Sequence, residues 1–160
     1  MRINKEKFTF LVAWIISAEG TAYPQSATDH LQRLVEMSAQ RVVIAEEVAL
    51  AKWDSGTPVE DAAREARLIA TVVKAGELQG LNQAKVSNFF RAQIEASKLV
   101  QYSLLAEWRG SGKAPDHAPV DLAGSIRPEL GQLGIELVAE LTETANLRAS
   151  ASCHNDVAKA

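Results

Sequence analysis

From Ala27 to Trp53 apolar residues recur three and four apart. Leu31, Leu34, Val35, Ala39, Val42, Val43, Val48 and Leu50 form the stripe of a long amphipathic helix. The run DSGTP breaks it. Thr57 as N-cap, Pro58 in the first helical position and Glu60 three residues after the cap predict that a second helix starts there. That helix is expected to reach about Glu77, where LQGLN supplies a glycine stop and an asparagine start. A third is expected to run to about Arg109. The stretch GSGKAPDHAP, from Gly110 to Pro119, mixes Gly and Pro with polar residues and reads as a loop, the longest connection of the chain. A last helix is expected from about Val120 to Arg148, beyond which ASASCHNDVAKA has no periodicity and reads as a frayed end. No repeat and no strand-like alternation of useful length is present. The pattern predicts an all-α fold, an up-and-down helical bundle of about four main helices.

The N-terminus has a different character. Arg2, Lys5 and Lys7 precede the apolar run FTFLVAWII, Phe8 to Ile16, and small residues follow, which is the layout of an export signal. Nine apolar residues are too few to span a bilayer. Cleavage after Ala22, with Gly20 at the −3 position, is the preferred site and cleavage after Gly20 the second; the alternative is an apolar first helix kept in the fold. The expected organisation is therefore a cleaved signal over residues 1–22 and a single all-helical domain over 23–160, periplasmic or secreted, with no membrane anchor after cleavage.

Composition adds limits. The chain has 160 residues, 47% hydrophobic and 23% charged, which suits one soluble domain able to bury about two thirds of its unfolded surface. Its 17 basic and 20 acidic residues give a net charge of −3; losing residues 1–22 removes three basic and two acidic groups and leaves −4. There is no basic excess of the kind nucleic-acid binding requires, so no nucleic-acid partner is expected. Cys153 is the single cysteine and cannot form an internal disulfide. With His30, His117 and His154 scattered along the chain, no metal-ligand set is readable.

The chemistry must come from elsewhere. Arg41 and Lys52 are eleven residues apart, which at about 100° per residue returns them to within about 20° of the same helix face. Asp61, Arg64 and Glu65 stand at i, i+3 and i+4, a single face of the second helix. Ser97 and Gln101, also i and i+4, put two neutral hydrogen-bonding groups beside apolar Ile94 and Leu105 on the third. Taken singly, each is equally a solvated surface group. Together they supply cations and neutral donors from three helices, with no histidine base and no nucleophile beside a partner. Such a set suits binding of a compact dicarboxylate better than covalent chemistry.

The segments QRVVIAEEVALAKWDSGTPVEDAAREA and FFRAQIEASKLVQYSLLAEW resemble the all-helical chorismate mutases, specifically the exported subclass, over roughly residues 29–148. The features that carry the likeness are an arginine, a lysine eleven residues later followed by Trp, then PVED with RE close behind, then QIEASK with a glutamine four beyond the serine. The resemblance implies that Arg41 and Arg64 bind the two substrate carboxylates, bidentate recognition for which the planar guanidinium is suited. It implies that Lys52 and Gln101 donate hydrogen bonds to the ether oxygen of the breaking bond, that Asp61 and Glu65 occupy the acidic positions with Glu65 holding the ring hydroxyl, and that Ser97 lines the carboxylate site. Arg127, just past DLAGSI, is the nearest counterpart of a further arginine contributed from beyond the third helix. Two departures are visible: exported members commonly carry a C-terminal cysteine pair, whereas Cys153 stands alone, and some carry a glutamine near the position of Arg67 or Leu68.

The implied reaction is the cofactor-free pericyclic conversion of chorismate to prephenate. The resemblance further suggests a homodimer in which each chain builds its own site. No feedback control is expected, since no separate regulatory domain fits in the length. The competing expectation is a non-catalytic exported helical module that binds a carboxylate ligand or a partner protein through the same cationic groove.

Overall fold

The computed structural model describes residues 26–159, so the expected signal and its cleavage after Ala22 lie outside the described residues. Three long helices and one interrupted helix make an antiparallel bundle: α1 (Ala27–Ser55), α2 (Ala62–Leu78), α3 (Gln83–Ser111) and α4 (Arg127–Glu143), with two short helices, α5 (Ala145–Arg148) and α6 (Cys153–Val157), after it. No strand occurs among the described residues. Helix α1 packs on α3 and α4, and α2 closes the other side against the same two. Among the described residues no helix is long and apolar enough to cross a membrane.

Local chemistry sets the ends. Ser26 opens α1 with a reciprocal capping box: its hydroxyl accepts from Asp29 N at 3.2 Å, and its own N–H donates to Asp29 Oδ2 at 3.0 Å. Gly56 ends α1 at φ +66°, a left-handed conformation that a side chain would strain. Asn82 caps α3 by accepting from Lys85 N, as the asparagine start in LQGLN predicts.

The second helix starts later than the sequence reading placed it. Thr57 is not a helix cap; its hydroxyl pairs with Ser55 Oγ at 2.9 Å, and residues 56–61 form a non-helical strap. Burial explains this. Val59 is 7% exposed and packs with Ala49, Leu50, Leu105 and Trp108, and a helix beginning at Pro58 would not lay it there. Asp61 is the N-cap, its Oδ1 accepting from Arg64 N at 3.0 Å.

The expected continuous last helix is also broken. Asp121 takes the N–H groups of Ala123 and Gly124 on its carboxylate, and its carbonyl accepts from Ile126 N at 3.2 Å, so Leu122–Ile126 winds as one π-helical turn. Pro128, with no N–H to give, then stands at the start of α4. Buried Thr144 ends α4; its hydroxyl donates to Glu140 O at 2.6 Å in competition with the backbone ladder. The C-terminal stretch read as frayed contains α6, which touches α1.

Three apolar clusters run along α1. Leu31 and Leu34 pack with Val72, Phe90, Leu137 and Val138; Ile44 and Val48 with Ile126, Leu130 and Leu133; Ala49 and Leu50 with Val59, Leu105 and Trp108. At the N-terminal end of α1, His30 and Arg33 close on the buried Glu140 of α4 at 2.8 and 2.6 Å. The cleft described next opens between the middle of α1, the start of α2 and the middle of α3.

Candidate active site

Arg41, Lys52, Asp61, Arg64, Glu65, Ser97, Gln101 and Arg127 all line one cleft, together with Val48, Val59, Leu68, Ile94, Lys98, Leu122 and Leu130. All eight candidate site residues named from the sequence are therefore in it. Their helical offsets account for this: Arg41, Val48 and Lys52 lie along the inward stripe of α1, and Ile94, Ser97 and Gln101 along that of α3. Of Arg67 and Leu68, Leu68 lines the cleft and contributes an apolar wall.

Arg41 is 5% exposed. Its Nη1 donates to Leu130 O at 2.9 Å, its guanidinium carbon lies 5.9 Å from the Phe90 ring centre, and its buried Nε has no hydrogen-bond partner. Burial, and secondly the nearby Arg64, push its pKa down to about 10, which leaves it charged at neutral pH. Arg64 is likewise lowered, by burial first and by Arg127 second. Lys52 is lowered by burial and then by Arg64, with Asp61 and Glu65 pulling the other way. Cations held close together and partly out of water depress one another's pKa, and an incoming dianion would relieve that repulsion.

The acidic positions are committed to local structure. Asp61 caps α2 through Oδ1, while its Oδ2 lies 3.9 Å from Arg127 Nη2. The start of α4 is brought to the cleft by Ile126 and Leu130, which pack on Ile44 and Val48. Glu65 Oε1 accepts weakly from Asp61 N at 3.4 Å, and its Oε2 is 3.5 Å from Lys98 Nζ. Asp61 and Glu65 thus share the cleft as cap and first-turn residue, not as two interior positions of one helix face.

Lys52 and Gln101 are turned toward protein groups. Lys52 Nζ donates to Val59 O at 2.7 Å. Gln101, 4% exposed, donates through Nε2 to Ser97 O at 3.2 Å and to Ser97 Oγ at 3.0 Å, leaving its buried Oε1 without a partner. Among the described residues no group of three His, Cys, Asp or Glu side chains is placed to hold a metal ion.

Residues 29–102 match the model of the family described as chorismate mutase type II. The secreted chorismate mutase of Mycolicibacterium smegmatis is 31% identical over 145 residues, an alignment covering 88% of this chain and 79% of that protein. This chain belongs to the chorismate mutase family. The secreted chorismate mutase of Mycobacterium tuberculosis is 27% identical over 126 residues, covering 79% of this chain but 63% of that protein, so the chain spans less than two thirds of that relative. The crystal structure of the chorismate mutase from Burkholderia phymatum superposes with a TM-score of 0.78 at 42% identity, covering 84% of this chain and 82% of the other. The all-helical bundle is thus the chorismate mutase bundle.

Lys98 escaped the sequence reading although it lies within the quoted QIEASK. Its partners come from three segments, Glu60 in the strap, Glu65 in α2 and Glu95 in α3, and no offset along one helix reveals such a meeting.

Proposed function

We propose that this chain converts chorismate to prephenate, holding the flexible dianion in its compact diaxial form and stabilising the ether oxygen as its bond to carbon breaks. The observation that carries this reading is the meeting of Arg41, Lys52, Arg64 and Arg127 with Ser97 and Gln101 in one cleft. Arg41 and Arg64 bind the two carboxylates, Arg127 closes the open side, and Ser97 lines the carboxylate position. Together they restrict the substrate to a near-attack geometry, which removes part of the barrier before any bond changes.

Lys52 has three N–H donors, and Val59 O takes one. The others remain for the ether oxygen, where charge is larger in the transition state than in the ground state, so the interaction accelerates the step. Gln101 reaches the same oxygen after its amide turns over: the oxygen then accepts from the Ser97 hydroxyl and the NH₂ is released toward the substrate. Glu65 accepts from the ring hydroxyl. No cofactor enters, since one C–O bond breaks as one C–C bond forms and no proton need move.

The same reading takes residues 1–22 as a signal cut after Ala22 and residues 23–160 as one exported catalytic domain; the M. smegmatis and M. tuberculosis relatives are both named as secreted. It also takes the chain as a homodimer with one complete site per protomer, in keeping with the supply of all eight site residues by one chain. The purified protein should consume chorismate, followed by loss of its ultraviolet absorbance, and yield prephenate. Stoichiometric binding of chorismate without turnover would instead identify a non-catalytic carboxylate-binding module.

A further inference from the structure

Lys98 is the one cation of the cleft to which the proposed mechanism assigns no task. It is 9% exposed, and its ammonium lies 2.8 Å from Glu95 Oε1, 3.1 Å from Glu60 Oε2 and 3.5 Å from Glu65 Oε2. Burying a lysine is unfavourable unless its charge is matched, and three carboxylates match it here. The position of those carboxylates is informative. Glu60 belongs to the strap 56–61, and its second oxygen accepts from the Tyr102 hydroxyl at 3.0 Å, so Lys98 and Tyr102 together hold the strap to α3. The next residue back is Val59, whose carbonyl receives Lys52; the next residue on is Asp61, which caps α2 and faces Arg127. Glu65 is itself a wall of the cleft.

We propose that Lys98 is a positioning residue of the site: it fixes the strap that aims Lys52, and it offsets part of the negative charge that Glu65, a wall of the cleft, and its neighbour Glu60 bring near the place where a dianionic substrate binds. Lys98 touches no reacting atom. The inference rests on the proposed chorismate reaction. Without Lys98, the cleft keeps the Glu65 carboxylate, with Glu60 nearby, and loses the cation that offsets them, and the strap loses its central tie.

The two parts of the role are separable from a purely structural one by steady-state kinetics on Lys98→Met, Lys98→Arg and Lys98→Met/Glu60→Gln, each checked for folding by thermal unfolding. Lys98→Met should raise KM for chorismate about tenfold, the scale of one unit charge acting at several ångströms in a partly screened cleft, with a smaller fall in kcat. The rise of its KM with added salt should be shallower than in the wild type, because the cleft then carries one positive charge fewer. Lys98→Arg should restore most of the lost affinity. The double variant should bind better than Lys98→Met alone, since removing Glu60's charge relieves the repulsion; mere damage to packing would add instead. The proposal is overturned if folded Lys98→Met keeps wild-type KM and salt dependence, or if Glu60→Gln makes that variant worse. Should Lys98→Met not fold, Lys98→Gln decides by the same readings: a raised KM with a shallower salt dependence supports the role, and wild-type values for both overturn it. A wild-type protein that leaves chorismate unchanged removes the reaction itself, a failure distinct from a normal wild type with an unaffected variant.

Discussion

At the scale of single residues, the cleft joins several cations whose charges are uncomfortable without a ligand. Lys52 is the sharpest case, half-buried beside Arg64 and held below the usual lysine range mainly by its burial. Lys52→Ala should cost on the order of 10²-fold or more in kcat while leaving the fold intact, as loss of a donor to developing charge does elsewhere; steady-state kinetics with thermal unfolding as control measures both. Since Gln101 donates at any pH, turnover should stay flat from mildly acidic to neutral conditions. It should then fall on the alkaline side at a pH below that of an ordinary lysine, because Lys52 must keep its proton. A pH–rate profile checks both limbs, and a steep fall between pH 5 and 7 would point to a carboxylic acid donor in place of Gln101. Much of this was legible in the sequence: eleven residues on a helix return Arg41 and Lys52 to one face, and Ser97 and Gln101 are one turn apart. Two details were not. The amide of Gln101 turns back on Ser97, a rotamer choice that no spacing encodes, and Lys98 meets partners from three elements.

At the scale of elements, the corner between α1 and α2 decides how the cleft is built. Thr57, Pro58 and Glu60 carry the local signature of a helix start, yet the burial of Val59 outweighs it and moves the start to Asp61. Local pattern predicts caps well only where tertiary burial makes no competing demand. Asp61→Ala should therefore cost about 1 kcal/mol of stability in denaturant unfolding, whereas Thr57→Ala should cost a few tenths at most. The loop between α3 and α4 is tied to the end of α1 by His117. Its Nε2 lies 2.9 Å from Asp54 Oδ2 and its Nδ1 2.8 Å from Pro115 O, two acceptors that both call for an N–H. The Pro115 carbonyl and the Asp54 carboxylate accordingly raise the imidazole's pKa. A raised folded-state pKa means that the tie stabilises fully below the unfolded value, near 6.5, and is lost as pH rises through the higher folded value. The Tm gap between wild type and His117→Ala should be open at pH 5.5 and closed at pH 9. A gap independent of pH would assign the loop's anchoring to packing instead. The pairing of His117 with Asp54 was not readable, since the two are 63 residues apart.

At the scale of the whole molecule, three apolar clusters strung along α1 leave one polar cleft between them, and the bundle is what brings α1, α2, α3 and the start of α4 to it. The bundle was legible because helical periodicity is long-range and redundant: moving any boundary by a few residues leaves the stripes of Leu31, Val48, Phe90 and Leu137 facing inward. The break at Asp121–Pro128 was less so, because a π-helical turn depends on which carbonyl each N–H finds. That break delivers Arg127 to Asp61 and so to the cleft. The proposed reaction works by orientation and electrostatics in this cleft, with no proton transferred. It is tested most directly by nuclear magnetic resonance of the product formed from chorismate by the purified protein in heavy water. Prephenate is expected as the single product, formed in step with chorismate loss and carrying no deuterium on its ring carbons. Deuterium on a ring carbon, or a product other than prephenate, would contradict a rearrangement without proton transfer.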